Sequence, residues 1–119
     1  MITIDKLSPI PLYKQIILQI KKEIILGRLK KGDKLPAIRE LSERLMVNVN
    51  TVLKAYDRLA AEGIIDSEHG KGFFVKETTN ISQDFIKDLK KISKTMKENG
   101  IELGLAMMLL QEVWNDEEV

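Results

Sequence analysis

Apolar residues recur every four positions at Leu12, Ile16, Ile20 and Ile24, and Tyr13 and Ile17 widen the stripe. That period predicts a helix with one buried face, with Pro11 in its first turn and Gly27 at its C-terminal cap. Leu18 and Ile25, seven apart, lie on a different side. The helix is therefore either enclosed on two faces or keeps the second for dimer contact, and the pattern leaves both open. Ahead of it, Met1 to Asp5 alternates β-branched and polar residues, a short strand signal.

Lys30-Lys31-Gly32-Asp33 reads as a turn. A second helix should start near Pro36 and turn Ile38, Leu41 and Leu45 inward, leaving Arg39, Glu40, Glu43 and Arg44 outside. A short hinge, Met46 to Val49, separates it from a third helix, Thr51 to Glu62. The apolar set of that helix is Val52, Leu53, Tyr56, Leu59 and Ala60, and Gly63 ends it. Ile64 to Ser67 and Phe73 to Val75 read as strands joined by the glycine-flanked turn His69-Gly70-Lys71-Gly72.

A helix, a tight turn, a second helix and a hairpin make a winged helix-turn-helix. The expected class is thus mostly α with a small β wing (α+β), followed by a two-helix tail. In this architecture the second helix of the pair enters the major groove, and its N-terminal residues meet the DNA. That fits Asn48, Asn50 and Thr51, three poor helix formers gathered at one helix start. One asparagine is explained as a cap. A cluster of three is better explained by side chains that bond base edges or phosphates.

Composition narrows the field further. The 119 residues, 44% apolar and 31% charged, are those of an ordinary globular chain. With no cysteine and a single histidine, His69, no metal site, cofactor or nucleophilic chemistry is expected, so the chain is not read as an enzyme. No signal peptide or bilayer-spanning stretch is evident, so a cytoplasmic location without membrane contact is expected. Charge is uneven: residues 1–77 hold 14 Lys+Arg against 10 Asp+Glu, and residues 78–119 hold 5 against 8. This supports two domains, a reading head at 1–77 and a tail at 78–119.

In the tail, Ile81, Phe85, Ile86, Leu89, Ile92 and Met96 keep helical spacing opposite a row of lysines. Asn99-Gly100 breaks the helix, and a last one runs from Ile101 to Trp114. Leu103, Met107, Leu110 and Trp114 form its stripe, broadened by Leu105, Met108 and Leu109. Two such helices cannot bury these residues alone, and symmetric dimerisation through Phe85, Leu89, Ile92, Leu103, Met107, Leu110 and Trp114 would cover them. A Met-rich surface that receives a small-molecule effector of unknown identity is the other reading.

The run GDKLPAIRELSERLMVNVNTVLKAYDRLAAEGII, followed by HGKGFFV, closely resembles the DNA-binding domain of GntR-type bacterial transcription regulators. The likeness extends from about Leu7 to Val75. VNVNTVLKAY, the PLYKQI opening and the short tail are most similar to the YtrA-type subgroup. The resemblance implies a homodimeric regulator, a repressor on an inverted-repeat operator, with transporter operons as targets. It implies double-stranded DNA as partner, contacted by Arg39, by the segment Asn48 to Thr51 and by the wing at His69 and Gly70. Lys54, at helical spacing after Asn50, and Lys71, at the wing tip, are added as phosphate contacts on charge and position. Val49 and Ala37 depart from the family's frequent Arg or Pro and Ser, which removes one guanine-reading group and one hydroxyl. A winged-helix module that binds protein instead of specific DNA is the alternative function.

Overall fold

A computed structural model describes residues 2–76 and 83–116. The chain divides into two compact units, Met1–Asn80 and Ile81–Val119. Ile81 of the expected tail stripe lies outside the described residues.

The first unit contains α1 (Leu12–Ile25), α2 (Ile38–Leu45), α3 (Val49–Ala61), β1 (Ile65–Glu68) and β2 (Gly72–Val75). The expected four-residue stripe of α1 holds: Ile16, Ile20 and Ile24 are buried, and they join Leu41, Val52, Ala55, Tyr56 and Leu59 in one core. Helix α3 is its centre, packed on by α1, α2 and β1. Leu18 is 56% exposed, so α1 is not enclosed on its second side. Leu53, expected among the apolar inward set, is exposed as well. Its position one residue after Val52 turns it about 100° away from the core, onto the outer face.

The sheet has one antiparallel pair, with Ile65 opposite Val75 and Glu68 opposite Gly72. The far edge of β2 is also occupied. Gly32 N–H donates to the Val75 carbonyl at 2.8 Å, Val75 N–H to Asp33 at 2.9 Å and Leu35 N–H to Phe73 at 2.9 Å. The loop before α2 thus behaves as a third, short strand that ties the wing to the helix pair.

Residues 2–5 do not form the strand that the alternation suggests. Amides there are taken by glutamine side chains of α1 instead: Asp5 N–H donates to Gln15 Oε1 at 2.7 Å, and Thr3 N–H to Gln19 Oε1 at 3.4 Å. Lys6 reaches across to donate to the carbonyl of Met46 at 2.8 Å.

The second unit holds α4 (Gln83–Glu98) and α5 (Leu103–Trp114), separated where Asn99-Gly100 breaks the helix as expected. Gly100 sits at φ 72°, and Ile101 N–H returns to the Met96 carbonyl at 2.9 Å. That is the left-handed closure glycine provides at a helix end. No residue of α5 is buried.

Candidate nucleic-acid interface

The turn between α2 and α3 is built by a left-handed residue. Met46 takes φ 56° and ψ 48°, and Val47 N–H donates back to the Ser42 carbonyl at 3.0 Å. Only two residues, Met46 and Val47, separate the last residue of α2 from the Asn48 cap of α3. The helix-turn-helix is tight for that reason. Tyr56 locks it from below: the phenol donates to the Pro36 carbonyl at 2.6 Å, and the ring meets Phe73 of the wing edge-on with centroids 5.0 Å apart. Burial, with a smaller contribution from the Glu40 carboxylate, pushes the Tyr56 phenol well above its ordinary pKa.

The structure separates the two asparagines. Asn48 is the N-cap, and its Oδ1 accepts the Asn50 amide at 2.8 Å. Asn50 itself is exposed, and its side chain makes no hydrogen bond within the described residues. Thr51 is half-buried and Lys54 exposed. Asn50, Thr51 and Lys54 line an open hollow of about 420 Å³ together with Leu12 and Tyr13 from the start of α1. Tyr13 was expected only as part of the core stripe. Its ring carries Lys54 Nζ 4.1 Å from the centroid and Arg58 Cζ at 5.6 Å.

The remaining expected contacts stand on other elements and do not line that hollow. Arg39 is exposed in the first turn of α2; neighbouring Glu40 pairs with Arg44 at 2.7 Å, which leaves Arg39 without an ion pair among the described residues. His69, Gly70 and Lys71 form the hairpin turn, closed by Lys71 N–H on the Glu68 carbonyl at 2.9 Å. His69 and Lys71 are exposed there.

The fold and this geometry agree with what the chain is similar to. Residues 12–75 match the model of the bacterial regulatory proteins, gntR family. The chain belongs to the gntR family. It is 48% identical to the HTH-type transcriptional repressor YtrA of Bacillus subtilis over 77 residues, 65% of this chain. That stretch is 59% of the length of the repressor. The solved structure of YtrA from Sulfolobus acidocaldarius, a GntR-family transcription factor, is 40% identical, with a TM-score of 0.60 over 79% of this chain and 97% of that one. The crystal structure of AraR(DBD) in complex with operator ORX1 is 31% identical, with a TM-score of 0.55 over 60% of this chain and 89% of that one. Residues 12–75 are accordingly the winged helix-turn-helix of a YtrA-like gntR regulator, a DNA-binding fold. Among the described residues, no helix is long and apolar enough to cross a membrane.

The seven tail residues expected at a dimer interface, from Phe85 to Trp114, are all exposed in the single chain. Trp114 is 80% exposed and Leu103 77%.

Proposed function

We propose that this chain is a cytoplasmic transcription repressor that binds an inverted-repeat operator as a homodimer and catalyses no reaction. The DNA-reading part is residues 1–77, and the dimerising part is the tail, 78–119. The observation that carries the reading is the end of α3. Asn50, Thr51 and Lys54 project from the helix start beside a tight turn, and Asn50 is spared from capping because Asn48 does that work. Side chains so placed in a helix-turn-helix enter the major groove.

Arg39, Asn48, His69, Gly70 and Lys71 complete the proposed footprint. Arg39 has no carboxylate partner among the described residues and stands exposed, where it can meet a base edge or phosphate. Asn48 retains its amide donors after its oxygen is used in the cap. The wing tip offers Lys71 and His69 to the backbone of the same duplex, with Gly70 in the left-handed turn between them at φ 75°. Phosphate contacts supply much of the affinity, while the α3 end supplies register and base reading.

The tail supports dimerisation by what it leaves uncovered. Helix α5 is largely apolar yet has no buried residue, an arrangement a second copy relieves.

The test is selection from random duplex DNA followed by titration at several salt concentrations. A selected inverted repeat, bound by two chains with a steep salt dependence, supports the proposal. Failure to enrich any sequence, with no retention on heparin, overturns it in favour of a protein-binding winged helix.

A further inference from the structure

The first turn of α1 carries a feature that neither the core nor the α3 end accounts for. Lys54 and Arg58 are four apart on α3, like charges on one helix face, and such pairs repel. Asp57 lies between them in the sequence but forms no ion pair with either among the described residues. Glu62, one turn further on, is engaged with Lys21 at 3.0 Å, and neither Lys54 nor Arg58 has an ion pair among the described residues. What they share is the Tyr13 ring, 4.1 Å from Lys54 Nζ and 5.6 Å from Arg58 Cζ.

An aromatic face attracts a cation without cancelling its charge. A carboxylate in the same place would hold the lysine but neutralise it. A ring therefore suits a cation that must be fixed in direction and still be fully charged toward something else. Lys54 also lines the open hollow that Tyr13 shares with Asn50 and Thr51, so the held ammonium stands beside the groups proposed to face the bases.

We propose that Tyr13 is a positioning residue for DNA binding: its ring holds Lys54 in the direction of a DNA backbone phosphate. The proposal rests on the DNA-binding reading above. Ordering Lys54 before the duplex arrives removes part of the rotamer entropy that binding would otherwise cost. The ring, and not the phenol hydroxyl, is the active part.

The experiment uses the full chain and a duplex that the wild-type protein selects from random DNA. Tyr13→Phe keeps the ring and is expected to bind within about twofold of wild type, whereas Tyr13→Leu is expected to bind about fivefold more weakly at equal salt. In a Lys54→Ala background, Tyr13→Leu should add almost nothing, because the residue it positions is gone. The salt slope should fall by about one in Lys54→Ala and be unchanged in Tyr13→Leu. Equal losses for Tyr13→Phe and Tyr13→Leu, no loss for Tyr13→Leu, or additive losses in the double variant would each overturn the proposal.

Should Tyr13→Leu fail to fold, proton NMR of the free wild-type and Tyr13→Phe proteins decides. The Lys54 ε-methylene protons are expected upfield of those of other lysines in both, and ordinary shifts in the wild type overturn the proposal. A wild-type protein that selects no duplex, yet shows the upfield shift, would fail the DNA reading and take the phosphate role with it. The ring contact alone would survive.

Discussion

Tyr56 donates its phenol to the carbonyl of Pro36 at 2.6 Å, joining the middle of α3 to the residue two before α2 begins. The bond is partly buried, and Tyr56 also abuts Phe73, so one side chain holds the helix pair and the wing in register. Tyr56→Phe keeps the ring packing and leaves the carbonyl without its donor. The expected loss is about 1–2 kcal/mol of stability, read by urea denaturation with an unchanged m-value. Loss of DNA affinity in the folded variant should be small.

The same residue predicts an alkaline limit. Burial raises the Tyr56 pKa in the folded state above its ordinary value of 10.0, so folding favours the protonated phenol. Its contribution is fully present below about pH 10 and is lost as pH rises from there toward the folded-state pKa. Wild type should therefore lose stability above about pH 10 more steeply than Tyr56→Phe. Melting both variants from pH 8 to 11 checks this, and parallel curves would contradict it. Every other ionisable group is common to both proteins and cancels in the difference.

Met46 is the one described non-glycine residue with positive φ, and it forms the turn of the helix pair. Left-handed backbone costs an ordinary residue about 1–2 kcal/mol, partly offset by the greater freedom glycine has when unfolded. Met46→Gly is expected to stabilise the protein by about 0.5–1 kcal/mol in a chemical melt. A loss of stability would mean that the exposed methionine side chain makes contacts that outweigh the backbone strain.

How far the residues foretold these features differs by kind. The helix pair, the wing and the tail break were legible because apolar spacing and Gly63 and Gly100 mark them locally. The pairing of Gly32 to Leu35 with β2 was not, since it joins segments about forty residues apart in the sequence and Gly32 to Leu35 has no strand pattern of its own. The Met1 to Asp5 alternation was misleading because Gln15 and Gln19 of α1, not a neighbouring strand, take up its amides. The Asn48–Asn50–Thr51 cluster was legible as unusual, but which asparagine caps depends on backbone geometry. Tyr13 packs against the core as its spacing suggests, but helical spacing reports a face and not the cations that α3 brings over it.

The tail predictions turn on exposed apolar surface. A chain shortened by residues 78–119 is expected to sediment as a monomer and to lose most operator affinity, because linking two heads multiplies weak half-site binding. Leu110→Lys, which places a charge in the α5 stripe, should weaken the dimer without unfolding the first unit. Analytical ultracentrifugation reads both. A shortened chain that remains dimeric would move the interface to Leu18 and Ile25 of α1.

The two asparagines of α3 should part company under mutation. Asn48 Oδ1 accepts the Asn50 amide at 2.8 Å, so Asn48→Ala removes a cap and should cost about 1 kcal/mol of stability. Asn50 caps nothing, and Asn50→Ala should melt close to wild type. Affinity should separate them in the opposite sense. Asn50→Ala is expected to lose operator affinity and to narrow the gap between operator and random DNA, because the lost group is one that can bond a base edge. Asn50→Asp sharpens the comparison: it is nearly isosteric, leaves the Asn48 cap intact and sets a negative charge at the proposed phosphate surface. It should fold like wild type and bind worse than Asn50→Ala. Thermal melts beside anisotropy titrations at fixed salt give both quantities for each variant. Normal binding by a well-folded Asn50→Asp would remove Asn50 from the interface and leave Thr51, Lys54 and Arg39 to carry the reading.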